Sequence, residues 1–127
     1  MPRYWLTPPA LYSSLDSEFH FTTDPCPFPM VQDALKVDWG PVNYVNAPFR
    51  SKDGSPTAFA RKAIEQAHKG KTSVLLLPTQ SYVNLLLEAG AELRSAGRVR
   101  WLEVETKQPM PGPSPITMFI LRATAQR

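Results

Sequence analysis

The stretch G-K-T-S-V-L-L-L-P-T, residues 70–79, decides the fold. Gly70 stops whatever precedes it. Val74 to Leu77 form an unbroken apolar run, and Pro78-Thr79 closes it. A run this short, with no polar alternation, reads as a strand buried on both faces, as in a parallel sheet. Such a strand needs helices on either side. To its left, Ser55-Pro56 opens a helical pattern that Gly70 ends. In that helix Phe59, Ala63, Ile64 and Ala67 make the inner face, and Arg61, Lys62 and Lys69 are left outside. To its right, Thr79 is the expected cap of a further helix with Tyr82, Leu85, Leu86 and Ala89 inward and Gly90 after it.

Further out, Thr7 reads as the cap of a first helix, with Pro8 in its first turn and Leu11, Tyr12 and Leu15 on one face. The segments F-H-F-T-T-D (19–24), L-K-V-D-W (35–39) and N-Y-V-N (43–46) read as strands. R-V-R-W-L-E-V (98–104) and I-T-M-F-I-L-R (116–122) read as two closing strands around the proline-rich loop 108–115. Strand and helix alternate, so the expected class is α/β with a mainly parallel sheet flanked by helices. In such sheets ligands bind beyond the carboxyl ends of the strands. Asp24 and Asn46 both end predicted strands, which places them on one rim.

Composition bounds the rest. The chain of 127 residues is 43% hydrophobic and 20% charged, which suits one domain with one core and no separate target-recognition domain. The net charge of +3 permits an anionic partner without requiring one. Cys26 is the lone cysteine, so no internal disulfide forms and a reducing compartment is expected. His20 and His68 lack neighbours at ligand spacing, so no metal site is expected. The opening M-P-R-Y-W-L-T-P-P has no apolar leader, and no run is long enough to span a bilayer. The expectation is a soluble cytoplasmic protein without a membrane partner. The fourteen prolines gather in loops, where they would shape a pocket.

The chemistry centres on Asn46-Ala47-Pro48-Phe49. An exocyclic amine of a base donates two hydrogens. The Asn46 amide oxygen can accept one, and the backbone carbonyl of Ala47 the other. Pro48 keeps residue 47 out of the helical region, and Phe49 offers a face on which a base can stack. A base inside a duplex would have to be flipped out to reach them. The competing reading is an ordinary strand exit with a core phenylalanine.

The ordered blocks Y-W-L-T-P-P-A-L-Y-S-S-L-D-S-E-F-H-F-T-T-D-P-C-P-F-P, W-G-P-V-N-Y-V-N-A-P-F, R-K-A-I-E-Q-A-H-K-G-K-T-S-V-L-L-L-P-T-Q, G-R-V-R-W-L-E and P-S-P-I-T-M-F-I-L run from Tyr4 to about Leu121. Together they resemble the phage-type DNA N6-adenine methyltransferases, the Dam-like family of phages and prophages. The resemblance implies a Rossmann-like methyltransferase sheet, S-adenosylmethionine as methyl donor, DNA as partner and the bacterial host cytoplasm as location. It implies that Asn46, Ala47, Pro48 and Phe49 are the catalytic Asn-Pro-Pro-aromatic tetrad, with alanine in place of the first proline. It also implies that Asp24-Pro25-Cys26 stand where other folds use a glycine-rich cofactor loop, with Asp24 on the ammonium of the methionine moiety. Trp5, Thr7 and Pro8 match the family's opening block and would line the cofactor pocket beside Asn46.

Charge follows the tetrad. Residues 50–71 hold Arg50, Lys52, Arg61, Lys62, Lys69 and Lys71 against Asp53 and Glu65, a net of +4. Residues 1–48 have Arg3 and Lys36 against five carboxylates, a net of −3. Arg50, Lys52, Arg61, Lys62, Arg98 and Arg100 are the candidate phosphate contacts, and a solvated helix face is the plainer account of those on the helix. Loops 50–55 and 108–115, or a second subunit in a homodimer, would read bases. No general base of perturbed pKa is required for such a transfer, and none is expected near the tetrad. Transfer to cytosine N4 or to adenine in RNA, and a binding module with a relaxed tetrad, are the alternatives.

Overall fold

The computed structural model describes residues 6–27, 33–46, 56–77, 82–109 and 114–123. In chain order the elements are α1 (Pro9–Phe19), β1 (Val42–Val45), α2 (Pro56–His68), β2 (Thr72–Leu77), α3 (Val83–Glu88), β3 (Glu92–Val99) and β4 (Ser114–Leu121). Trp5, Ala47 to Lys52, Ser55 and Thr79, and the loop positions 110–113, fall outside the described residues.

β2 is the doubly buried strand that its composition demands. Val74 to Leu77 have no exposed surface, and β2 lies inside the four-stranded order β1-β2-β4-β3. Its alternation sorts two cores. Val74 and Leu76 join Tyr44, Met118 and Ile120 on one face, covered by Leu15 of α1 and by Trp101. Leu75 and Leu77 join Val45, Phe119 and Leu121 on the other, covered by Phe59, Ala60, Ala63 and Ala67 of α2 and Leu86 of α3. Each fully buried leucine or valine here contributes about 1.5–3 kcal/mol through removal from water.

The sheet is mixed, which corrects the expectation of a mainly parallel one. β1 and β2 are parallel, with Tyr44 opposite Val74, while β4 is antiparallel to both β2 and β3. Among the described residues the chain from β3 to β4 has no helix, and β4 returns as an antiparallel neighbour and not through a helical crossover. β3 consequently runs in the same sense as β1 and β2. The carboxyl ends of all three strands lie on one rim.

Three predicted strands differ. Phe19 belongs to α1, and His20 ends that helix in the left-handed region (φ 56°) with its N–H on the Asp16 carbonyl at 2.8 Å. The Phe21 N–H then bonds Asp16 Oδ1 at 2.9 Å. The aromatic alternation at 19–21 therefore comes from a helix end and its cap, and only Thr23 pairs with Asn43, as a parallel bridge. Residues 34–37 form a turn and a bend, and 38–39 are irregular, because Trp39 is anchored otherwise. Its indole N–H donates to the Ala34 carbonyl at 2.9 Å and its backbone N–H to Gln66 Oε1 at 2.9 Å. β3 begins earlier than expected and ends at Val99, with a register shift between Ser95 and Arg98 and Gly97 at φ 76° beside it. The polar and small residues of E-L-R-S-A-G-R-V hide a strand that β4 holds by pairing.

Helix ends also differ. α1 starts at Pro9 after Pro8 with no side-chain cap, so Thr7 is not the N-cap. α3 is one and a half turns long, starts after Tyr82, and leaves Ala89 exposed. On α2, Lys62 does not stand clear of the surface. Its side chain is 10% exposed and pairs with Glu65 at 3.0 Å.

Candidate functional site

Two neighbouring parallel segments deliver two polar groups to the rim. β1 ends at Val45 and hands over Asn46. The Thr23–Asn43 bridge hands over Asp24 beside it. That bridge depends on Gly40, where a Cβ would sit 1.8 Å from Thr23 Oγ1 and 2.8 Å from its Cβ. Asn43 holds the turn from inside. Its Oδ1 accepts the Gly40 N–H at 3.0 Å, and its Nδ2 donates to the Gly40 and Thr72 carbonyls at 2.9 and 3.0 Å. The third wall is the segment before α1. Leu6 and Leu102 exchange backbone hydrogen bonds of 3.0 and 2.9 Å, which carries Thr7 over the end of β1.

These segments enclose a cavity of about 510 Å³, lined by Leu6, Thr7, Pro9, Tyr12, Asp24, Cys26, Tyr44, Asn46, Leu102 and Lys107. Thr7, Asp24, Cys26 and Asn46, singled out from the sequence at distant positions, thus share one wall system. Pro8 caps α1 next to it without lining it. Pro25 lines a separate cavity of about 80 Å³, with Asp24, Val37, Asp38 and Trp39 among its walls. Asp38 there is held down to about 2 by the Gln66 amide and then by Lys69.

Burial sets the electrostatics. Asp24 is exposed along the cavity, so its carboxyl is partly and not wholly withdrawn from water. Desolvation pushes it up to about 6, against the lowering effect of the Cys26 N–H on Oδ1 at 3.0 Å. A perturbed acid therefore lies in the same cavity as Asn46, contrary to the sequence expectation. Burial, and then the nearby Asp24, push the Cys26 thiol up, so it is a protonated wall and not a nucleophile. Burial also pushes up the Tyr44 hydroxyl, which is hydrogen-bonded with Thr7 Oγ1. The Asn46 amide nitrogen lies 3.5 Å from the same Thr7 oxygen, which links Asn46, Thr7 and Tyr44. Below them is an aromatic floor. Tyr12 meets Tyr44 edge-on at 5.0 Å, and Phe21 packs on Tyr44 at 5.3 Å.

Leu6, Pro9, Tyr12, Tyr44, Leu102 and Lys107 line the cavity without having been singled out from the sequence. The period-two pattern of β1 carried the signal for Tyr44, since it places Tyr44 on the α1 face. Leu102 and Lys107 had none, because a non-local pairing brings them in. Of the candidate phosphate contacts, Arg61 is exposed on α2, which starts from the rim, and Arg100 is exposed just past the carboxyl end of β3. Arg98 lies within β3 at the same end. Arg50 and Lys52 are outside the described residues.

Among the described residues, no helix is long and apolar enough to cross a membrane, and no three His, Cys, Asp or Glu residues gather as metal ligands. Set against protein-family models, curated proteins and solved structures, the chain gives no match.

Proposed function

We propose that this chain transfers a methyl group from S-adenosylmethionine to the N6 amine of adenine in DNA, on a small Rossmann-like sheet. The observation that carries the reading is the rim cavity, in which Asp24, Cys26, Thr7 and Asn46 meet at the carboxyl ends of parallel segments. Those are the positions at which the resemblance to the phage-type adenine methyltransferases puts cofactor and base. The volume of about 510 Å³ lies within the range of small-molecule sites. The donor set also fits. Asp24 offers a carboxylate for an ammonium, and Leu6, Pro9 and Leu102 offer apolar walls.

When bound, S-adenosylmethionine supplies an electrophilic methyl on a sulfonium. The chain's own residues do the rest. Asp24 fixes one end of the cofactor through its ammonium. Asn46 holds an adenine amine through its side-chain oxygen, and the Ala47 carbonyl would take the second hydrogen. Thr7, tied to Tyr44, steadies the Asn46 amide from the protein side. Orientation of this kind supplies much of the acceleration in group transfer. Arg61, Arg98 and Arg100 would meet phosphates flanking the flipped base, with Arg50 and Lys52 beside the tetrad. Lys62 would reach a phosphate only by leaving Glu65. A homodimer would double those contacts.

Asn46→Ala should reduce methyl transfer to DNA by at least a hundredfold and leave cofactor affinity within a few fold. Labelled-methyl transfer and calorimetry on the same preparation read the two quantities. A variant that keeps near-native turnover removes Asn46 from the chemistry. A second reading, a cofactor- or nucleic-acid-binding module without turnover, is favoured by Ala47, which lacks the fixed φ of proline. Cofactor binding with no label in DNA or RNA would establish it.

A further inference from the structure

The described lining of the rim cavity carries two ionic side chains of opposite sign, Asp24 and Lys107. The first stands out in the sequence and the second does not. Lys107 sits on the turn between Leu102 and Pro109, which pair with each other while Leu102 also pairs with Leu6. The turn is internally fixed. The Glu103 N–H donates to the Gln108 carbonyl at 3.0 Å, and the Lys107 N–H to the Glu103 carbonyl at 2.9 Å. Lys107 itself takes a left-handed backbone, φ 62°, which L-residues with a side chain seldom adopt. Its ammonium donates to the Val104 carbonyl at 2.7 Å. That uses one of three N–H groups and pins the head group, leaving two donors for a ligand. Lys107 is exposed, and this contact tethers its ammonium on the turn that borders an otherwise largely apolar cavity, which also holds a carboxylate.

An acid and a base lining one cavity are complementary to a dipolar ion, and a free α-amino acid group is the commonest such ion in a small ligand. We infer that Lys107 binds the carboxylate of the amino-acid moiety whose ammonium Asp24 binds. The inference rests on the cofactor reading of this cavity and adds to it a recognition residue from the β3–β4 connection. It makes that connection part of the cofactor site, not only a surface turn. Lys107 acts on the ground state alone, since the carboxylate it holds takes no part in methyl transfer.

The test compares S-adenosylmethionine with its decarboxylated analogue, which keeps the ammonium, the sulfonium and the adenosine. Calorimetric titration of the full chain should show about tenfold or greater preference for the carboxylate form. Lys107→Met, which keeps the aliphatic stem, should weaken only that form and erase the preference. Lys107→Arg should retain it. Asp24→Asn should weaken both ligands alike and leave their ratio near that of the unchanged protein. If Lys107→Met keeps the full preference, or if the unchanged protein binds both ligands equally, Lys107 is not the carboxylate partner and the cofactor reading stands without it. If the unchanged protein binds neither ligand, the cofactor reading itself falls, and the role of Lys107 with it.

Discussion

Asp24 shows what a binding site costs the fold. Its carboxyl is pushed up to about 6, above the usual value near 4. The folded chain therefore holds this proton more tightly than the unfolded chain does. The stability that the proton confers is full below about pH 4 and is lost as pH rises through about 6. Asp24→Asn removes the charge but keeps an oxygen for the Cys26 N–H. It should raise the melting temperature at pH 7 to 8, leave it almost unchanged at pH 4, and weaken binding of a cationic cofactor. The ligand linkage has the opposite sign. An ammonium needs the ionised form, so affinity for S-adenosylmethionine should fall about tenfold per pH unit below about 6. Calorimetry between pH 4.5 and 8 checks both; affinity flat across that range would remove Asp24 from the ligand.

Ser73 is the contrasting residue. Its hydroxyl is wholly buried on β2 and has no hydrogen-bond partner among the described residues. An unsatisfied buried hydroxyl is costly, so Ser73→Ala should stabilise the protein by about 1 kcal/mol in denaturant unfolding, with no change in ligand affinity. A loss of stability would mean that this hydroxyl is satisfied in solution.

At the scale of elements, local pattern and non-local pairing divide what the sequence reveals. β2, the inner face of α2 and the site of β1 were legible because burial on fixed periods leaves its mark on V-L-L-L and on Phe59, Ala63 and Ala67. Asn46 was legible as a strand end, whereas Asp24 follows a single bridge at Thr23 and not the expected strand, yet the structure brings both to one cavity. β3 was legible only at its end, because a strand of Glu, Arg, Ser, Ala and Gly is held by its neighbour and not by its own composition. Lys107 was invisible for the same reason, since the Leu6–Leu102–Pro109 pairings that carry it in link distant residues. Gly40 stands in W-G-P with no signal of its own, yet the Thr23 side chain fills the space that any Cβ would take. Gly40→Ala must push the Thr23 segment away from β1. It should cost about 2 kcal/mol and weaken cofactor binding, because Asp24 moves with that segment. Unfolding and binding measured together test this; a loss of stability with full affinity would show that the rim does not depend on the bridge.

For the whole molecule, the mixed sheet matters more than its departure from a parallel one. β4 is reversed between β2 and β3, which leaves β1, β2 and β3 ending on one rim, with Arg100 just past the end of β3 and α2 following the end of β1. If that rim meets DNA, the charge reversals Arg61→Glu and Arg100→Glu should each weaken DNA binding severalfold at low salt, lose most of that effect at high salt, and spare cofactor affinity. Fluorescence anisotropy with a labelled duplex across a salt series reads this directly.

The central claim is that the rim cavity is a methyl-transfer site for adenine in DNA. Its most direct test is to incubate the protein with labelled S-adenosylmethionine and unmethylated duplex DNA, digest the DNA to nucleosides, and identify the labelled one by mass spectrometry. The account predicts N6-methyladenine from the unchanged protein and none from Asn46→Ala. Label on cytosine N4, or N6-methyladenine formed equally well by Asn46→Ala, would contradict it.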